Sequence, residues 1–289
     1  MNKTINRLKE YYDFTKRKFR SQETDKLNNV VFLLKKYCSM LPPTQKEAFR
    51  AEEYRAYSQN GEDGILLYIF SKIGTTNKTT IEFGVGNGSQ CNSANLIQNF
   101  GWNGLFMEGN AADVESGKRY YKNKGVSNLK FVNAFITKEN INELIQSNGY
   151  SGEIDLLNVD IDGNDYWVWQ AIDVIQPRVV VVEYNSSFGK EKSVSVPYEP
   201  TFNRWEKHSS GWYHGASLKA FEKLGKEKGY KLVACDSSGV NAFFVLSSLD
   251  AFESISAVEA YYTEYKRVDR SNNFNDQFDT LTGLPLTEV

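Results

Sequence analysis

The stretch Thr79–Gly88 reads TTIEFGVGNG, a short apolar strand pattern that runs into an acidic residue and three glycines at alternate positions. Glycine lets the backbone turn sharply and approach a ligand with no side chain in the way. A dinucleotide-binding fingerprint, G-x-G-x-x-G, would need glycine at position 89, which is serine. This spacing disfavours a nucleotide-dependent oxidoreductase. It predicts a ligand-binding loop formed by Glu82, Gly84, Gly86 and Gly88, and the alternative is a tight turn with no ligand.

The bulk composition is typical of a globular protein. At 289 residues, with 40% hydrophobic content, the chain can bury one large core with additions or two small domains. With a net charge of −2, the chain lacks the strongly basic surface that nucleic-acid binding needs, so we expect no nucleic-acid partner. Cys38, Cys91 and Cys235 are few, odd in number and far apart, which argues against a disulfide framework or a zinc site. No apolar run approaches the ~20 residues of a membrane span.

Residues 1–50 differ from the rest and predict an N-terminal helical extension. Apolar residues recur at helical spacing over 27–41, and Pro42-Pro43 ends the pattern. This apolar stripe makes a homodimer plausible. A basic cluster at Lys16–Arg20 favours a solvated helix packed on the main domain, and the alternative is a surface that contacts anionic lipid or a partner. The first residues lack an apolar secretory core, so we expect a cytoplasmic protein.

Residues 51–250 alternate strand and helix patterns, which predicts an α/β main domain. Strands separated by helices pair in parallel through right-handed crossovers. Only Cys235–Val240 separates the last two strands, too few residues for a helical crossover, so these should pair antiparallel. The strand candidates are Thr79–Phe83, Gly104–Met107, Leu129–Val132, Ile154–Val159, Val179–Glu183, Lys231–Ala234 and Ala242–Leu246. Residues 251–289 then predict a C-terminal helix, at 257–265, and a tail.

Polar side chains follow the carboxyl ends of these strands, where ligands bind in open α/β sheets. Glu108 lies about twenty residues past the glycines, the place for a carboxylate that accepts ribose hydroxyls. Asn133 ends the next strand and is suited to contacts with a base edge. The fourth strand ends in the sequence DIDGND at 160–165, and the fifth in Glu183 and Asn185.

The DIDGND segment crowds three carboxylates into six residues, which is costly unless something cationic lies nearby. One candidate is a hard divalent cation. Asp160, Asp162, Glu183 and Asn185 would supply the oxygen ligands that Mg²⁺ or Mn²⁺ accepts. The alternative is a polar turn in which Asp165 caps the following helix.

Several segments together resemble class I S-adenosylmethionine-dependent methyltransferases, and among these the FkbM-like family. The resemblance spans about residues 54–248, and its more particular motifs are SQNGED at 58–63 and DIDGND at 160–165. It implies a Rossmann-like methyltransferase fold, with a mostly parallel seven-stranded sheet and one antiparallel strand. It also implies S-adenosylmethionine as cofactor and a sugar, glycan or other small-molecule hydroxyl as methyl acceptor. The sulfonium of that cofactor is a second candidate for the cation beside Asp160.

A hydroxyl needs a base or a metal to become a good nucleophile. The chain has two histidines, His208 and His214, and both lie in the long connection Thr201–Gly215, which could close over the site. Asp162 is the rival candidate for the base, alone or through a metal. Gln59 and Asp63 precede the first strand, where they either begin a helix or reach the cofactor's amino-acid end. The non-enzymatic alternative is a Rossmann-like protein that binds a ligand or partner without catalysis.

Overall fold

The structure is a computed structural model and describes residues 43–264, 266–267 and 276–289. The fold below belongs to the unit Gln45–Val289. The apolar stripe at 27–41, the basic cluster at 16–20 and Cys38 lie outside the described residues. The dimer and the lipid or partner surface predicted from them therefore stay predictions.

Seven strands form the central sheet. They are β1 (Thr79–Phe83), β2 (Asn103–Glu108), β3 (Leu129–Asn133), β4 (Gly152–Val159), β5 (Ile175–Glu183), β7 (Tyr230–Cys235) and β8 (Asn241–Leu246). Their spatial order is β3-β2-β1-β4-β5-β8-β7. Within this sheet β8 runs in the direction opposite to the other six strands. This confirms the predicted fold class, a mostly parallel methyltransferase-type sheet with one antiparallel strand.

Helices connect the strands and cover both faces of the sheet. They are α1 (Gln45–Ala51), α2 (Glu62–Ile73), α3 (Ala94–Phe100), α4 (Ala111–Asn123), α5 (Ile141–Ser147), α6 (Asp165–Ala171), α7 (Arg204–Lys207), α8 (Leu218–Glu227), α9 (Ala257–Ala260) and α10 (Asp276–Asp279). None of the helices in the described ranges is long and apolar enough to cross a bilayer.

The core consists of two apolar layers, one on each face of the sheet. On one face Trp169 of α6 and Phe221 of α8 are fully buried against β5 and β8. On the other face Ile65 and Leu66 of α2 pack in the layer that contains Val179. A strand buried on both faces needs a continuous apolar run instead of an alternating one. The four consecutive valines at 179–182 in β5 meet that need.

The C-terminal segment folds back onto the carboxyl end of the sheet. The helix predicted over 257–265 is confined to Ala257–Ala260, because Tyr261 leaves the helical region at ψ 137° and its hydroxyl donates to the carbonyl oxygen of Ser186. Further along, β9 (Thr287–Glu288) pairs antiparallel with β6 (Val194–Ser195). The tail therefore covers the ends of β5 and the loops that follow it.

Candidate functional site

The glycine loop after β1 lies against the tip of β4. Gly84 has a φ of +67°, and a Cβ there would lie 1.7 Å from the carbonyl oxygen of Asp160. Only glycine permits both the left-handed backbone and this approach. The next glycine, Gly86, donates its amide hydrogen to Oε2 of Glu108 at 2.8 Å. The loop thus joins the tips of three adjacent strands.

Two cavities meet at this point. The larger has a volume of about 590 Å³ and the smaller about 190 Å³. They share Gly84, Asp160 and Asp162 on their walls. Acids of the larger cavity are Glu62, Glu82, Asp160, Asp162 and Glu183, and Arg204 is the one cation among the described residues that line it. The site is therefore a bipartite cleft with an excess of negative charge at its junction.

Glu82 lies buried at the end of β1. Its two carboxylate oxygens accept amide hydrogens from Asn92 and Ser93 at 2.8 and 2.7 Å. Burial nevertheless raises the pKa of Glu82 to about 7. The pKa of Asp160 is also raised, by burial and then by the negative charges of Asp162 and Asp165. A positive charge bound between these groups would relieve the cost of ionising them.

Glu108 and Asn133 lie at the smaller cavity's end of the sheet. The Glu108 carboxylate accepts from Gly86 and Asn110 and lines the smaller cavity. Asn133 does not line it. Its amide instead donates to the carbonyl oxygens of Glu108 and Gly109, each at 2.9 Å, so it fixes the loop that presents Glu108. The adjacent ring of Phe135 lines the cavity and is 59% exposed, an open apolar surface for a flat ligand.

Of the other residues predicted to bind the cofactor, some line a cavity and others do not. Gln59 lines the larger cavity. Asp63 does not, because its Oδ2 accepts amide hydrogens from Ala56, Tyr57 and Ser58 at 2.7–2.9 Å and closes the preceding loop. Gly88 packs under the Phe106 and Tyr121 rings instead of facing either cavity. The separate role predicted for each of these residues stays a prediction.

Asp162 occupies an unusual backbone conformation at the junction. Its φ is +57°, one of two positive values among the non-glycine residues that the structure describes. Asparagine and aspartate tolerate this region better than other residues, but it still costs conformational energy. The side chain forms an ion pair with Arg204 at the start of α7. The turn therefore adopts an unfavourable backbone conformation at Asp162, and this conformation places its carboxylate in the cleft.

At the tip of β5, Glu183 faces His214. Glu183 Oε2 lies 3.5 Å from His214 Nδ1, and neither atom has a hydrogen-bond partner among the residues that the structure describes. His214 is 1% exposed, and its Nε2 lies 2.9 Å from Nη2 of Arg267. Burial, followed by the positive charges of Arg267 and Arg204, lowers the pKa of His214 well below its usual value. The ring is therefore neutral.

The four ligands predicted for Mg²⁺ or Mn²⁺ do not converge. Asp160, Asp162 and Glu183 line one cavity, but Asn185 is fully buried beneath it. The Asn185 amide donates to two carbonyl oxygens, and its Oδ1 accepts from Arg267 at 2.6 Å. Its oxygen therefore already has donors, and Asp162 already has a cationic partner. These residues do not fit the predicted four-ligand metal site.

His208 lies apart from His214. It ends α7, and its Nδ1 lies 2.8 Å from the hydroxyl oxygen of Ser210. It lines neither cavity. Trp205, on the same short helix, is 60% exposed beside Arg204. The connection that carries the two histidines thus contributes Arg204 to the cavity wall and His214 to the buried layer beneath, whereas Trp205 is exposed and lines neither cavity.

Three residues of the site were not identified from the sequence. Arg204 pairs with Asp162, Arg267 contacts His214 and Asn185, and Asp165 accepts amide hydrogens from Ile161 and Gly163. Asp165 is the first residue of α6 and closes the preceding turn, whereas it was considered as the N-cap. Arg204 lay within the predicted closing segment and could have been found there. Arg267 lies about 80 residues beyond β5, and no local signal marks it.

Comparison with protein-family models and with curated proteins finds no match. Solved structures of similar fold include proteins described as S-adenosylmethionine-dependent methyltransferases. The N-terminal domain of EvdMO1 with SAH bound is 12% identical, with 65% of this chain and 80% of that one covered and a TM-score of 0.42. A methyltransferase from Clostridium acetobutylicum is 10% identical, with 76% and 98% covered and a TM-score of 0.41. Mitomycin 7-O-methyltransferase MmcR is 15% identical, with 60% and 50% covered and a TM-score of 0.38.

The strand order of this chain, and not the size of these similarities, defines it as a protein with the class I methyltransferase fold. At such identities the similarity extends to fold alone and does not assign a cofactor or a substrate.

Proposed function

We propose that the protein is an S-adenosylmethionine-dependent O-methyltransferase that acts on a hydroxyl of a sugar, a glycan or another small molecule. The observation that carries the proposal is the carboxylate-rich junction of the two cavities, directly beside the glycine loop. A cationic sulfonium at this junction would lie between Asp160, Asp162 and Glu82. The resemblance to the FkbM-like family best accounts for the motifs SQNGED at 58–63 and DIDGND at 160–165.

Each half of the cleft suits one half of the cofactor. The smaller cavity offers Glu108 for ribose hydroxyls and the exposed Phe135 ring for stacking on adenine. The larger cavity offers Gln59 and the loop amides for the amino-acid end, and it has room left for an acceptor. Five acids against one arginine on its wall disfavour an anionic acceptor, and a neutral polyol is compatible with this field.

The cofactor supplies a methyl group on a positively charged sulfur. The residues around it must align acceptor oxygen, methyl carbon and sulfur in a line, and much of the rate enhancement comes from this orientation. Trp205, exposed next to Arg204 in the chain, offers an aromatic face on which a sugar ring could stack. The Arg204–Asp162 ion pair holds α7 against the cavity wall and helps to exclude water.

The acceptor hydroxyl must also lose its proton, and the geometry favours Glu183 as the group that takes it. Of the three bases predicted from the sequence, Asp162 is paired with Arg204, His214 is buried behind Glu183, and His208 lines neither cavity. Glu183 lines the larger cavity, and its one ion-pair contact among the described residues is with His214. Burial and the charges of Asp160, Asp162 and Asp165 raise its pKa well above the usual value. A general base is most effective when its pKa lies near the operating pH, and an upward shift moves a carboxylate toward that optimum.

Calorimetric titration tests the cofactor first. We expect micromolar binding of S-adenosylmethionine and of its demethylated product, and loss of binding in Glu108→Ala. Glu115→Ala, an exposed glutamate elsewhere on the surface, is the matched control and should bind like wild type. Binding of a nicotinamide dinucleotide instead would favour an oxidoreductase. Binding of none of these would favour the non-catalytic alternative.

A screen of neutral sugars and polyols then tests the reaction, with formation of the demethylated cofactor as the readout. Glu183→Gln should retain cofactor affinity and lose at least 100-fold in turnover, because a base contributes about 10²–10⁴. Retained turnover in this variant would move the base to Asp162 or His214. A strict requirement for added Mg²⁺ would restore the metal-assisted alternative.

A further inference from the structure

Arg267, His214 and Glu183 come from three separate parts of the chain and form a buried row beneath the cleft. Arg267 belongs to the C-terminal segment, His214 to the connection before α8, and Glu183 to the tip of β5. Arg267 is 5% exposed, and its guanidinium also donates to Asn185 Oδ1 and pairs with Glu264. The arginine is thus held from several sides and has little freedom to turn away from the imidazole.

The direction of the Arg267–His214 hydrogen bond follows from chemistry. A guanidinium carries five N–H donors and no acceptor, and it stays charged in proteins. Nη2 of Arg267 lies 2.9 Å from Nε2 of His214, so Nε2 must be the acceptor. In a neutral imidazole the proton then lies on the other nitrogen. That nitrogen, Nδ1, faces Oε2 of Glu183 at 3.5 Å, too far for a good hydrogen bond, and neither atom has a hydrogen-bond partner among the described residues.

The same residues suggest a competing interpretation. Ligand atoms of Asp162, Glu183 and His214 lie within 4.8 Å of one another, close enough to hold a metal ion. A metal would require the lone pair of His214 Nδ1. Histidines that bind metals donate their other N–H to a carboxylate, a carbonyl or water. Arg267 can accept no hydrogen bond, so it opposes this arrangement.

We propose that Arg267 is a positioning residue that fixes the proton of His214 on Nδ1, so that this N–H faces Glu183 and the ring has no lone pair there for a metal. The polar N–H of His214 then attracts the Glu183 carboxylate from behind. Asp162, the other acid in the group formed with Glu183 and His214, forms an ion pair with Arg204. Two arginines thus serve where a divalent cation would otherwise be expected.

The inference goes beyond the proposed function, and its test needs neither cofactor nor acceptor. With ¹⁵N-labelled histidine, long-range ¹H–¹⁵N spectra report which nitrogen of each ring carries the proton, and the chain has two rings to assign. His208, beside Ser210, is the internal control. We expect His214 to remain neutral with its proton on Nδ1 from pH 6 to 8, and to keep that proton when Mg²⁺ or Zn²⁺ is added.

Two variants separate this role from a merely structural one. Arg267→Met removes the donor at similar volume, so Nε2 loses its partner and the proton of His214 should distribute over both nitrogens. Arg267→Lys keeps a charged donor and should restore the wild-type signal. A proton on Nε2 in the wild type, or loss of the Nδ1 proton on addition of metal, would overturn the proposal. The wild-type spectra decide between these outcomes even when a variant fails to fold.

Discussion

Two aspartates five residues apart, one within strand β4 and one just after its end, have opposite surroundings. Asp155 lies in the middle of the strand, where its carboxylate accepts from Arg178 at 2.8 Å and from the amides of Thr76, Asn77 and Lys78. Burial raises the pKa of Asp155, but these hydrogen bonds outweigh it and hold the pKa below its usual value. Asp160 follows the strand and faces the cleft among other acids, with its pKa raised.

The difference shows how one strand can carry both scaffold and site. A carboxylate with a full set of donors stabilises the fold, and it ties the segment before β1 to β4 and β5. A carboxylate crowded by like charges costs stability until a cation binds. Raised pKa values in a cleft are therefore a functional indicator here, whereas the buried Asp155–Arg178 pair is structural.

The largest effect should follow from removing the charge of Asp155. Asp155→Asn leaves Arg178 buried without a counter-charge, and we expect a loss of about 3–5 kcal/mol in the free energy of unfolding. Urea denaturation at neutral pH measures it. The same substitution at position 160 is the matched control. Equal losses at the two positions would break the distinction between scaffold and site.

Gly84 lies where the scaffold meets the site, because its backbone packs closely against the carbonyl group of Asp160. Gly84→Ala places a methyl group against that carbonyl in a left-handed conformation. We expect the free energy of unfolding to fall by about 2–4 kcal/mol, and we expect cofactor binding to be lost as well. Gly86 also has a positive φ, of +54°, but a Cβ there meets nothing within 4 Å. Gly86→Ala should therefore cost only about 1 kcal/mol. Similar stability losses in both variants would show that the close approach is unimportant.

Stability should fall as pH rises from 5 to 8 in the cofactor-free protein. The pKa of Glu82 is about 7 in the fold against 4.5 as its reference value. The unfolded chain therefore loses this proton first, and the stability present below about pH 4.5 is lost as pH rises through 7. At about 1.4 kcal/mol for each pH unit, Glu82 accounts for up to about 3 kcal/mol. Urea denaturation of Glu82→Gln should show a shallower decline, whereas Glu115→Gln should follow the wild type.

The smallest effect on stability is expected at Asp160. Asp160→Asn removes a repelled charge, so the cofactor-free protein should melt at the same temperature as wild type or slightly higher at pH 8. Affinity for S-adenosylmethionine should nevertheless fall about tenfold or more, which corresponds to about 1.4 kcal/mol. Calorimetry and thermal denaturation measure the two quantities on one preparation. A lower melting temperature with unchanged affinity would assign Asp160 to the scaffold.

Local pattern was sufficient for the fold. All seven central strands were predicted, because a buried parallel strand needs a continuous apolar run such as the valines at 179–182. The antiparallel pairing of β7 with β8 was predicted from the short connection between them, whereas the place of β8 beside β5 is shown by the structure alone. The glycine loop and the acids at 82, 108, 160, 162 and 183 were found because strand tips in such sheets converge at one edge.

What the sequence by itself determined, then, is the strands of the sheet, the antiparallel pairing of the last two and the acidic residues at its carboxyl edge, since each depends on neighbours a few residues away. Only the tertiary structure decided which of those groups have partners. Asp63, Asn133 and Asn185 make hydrogen bonds that remove them from the cleft walls, while Arg204 and Arg267 arrive from distant segments. Charge and proton position at Asp162 and His214 depend on those two arginines, because electrostatic partners are chosen by distance in space and not along the chain.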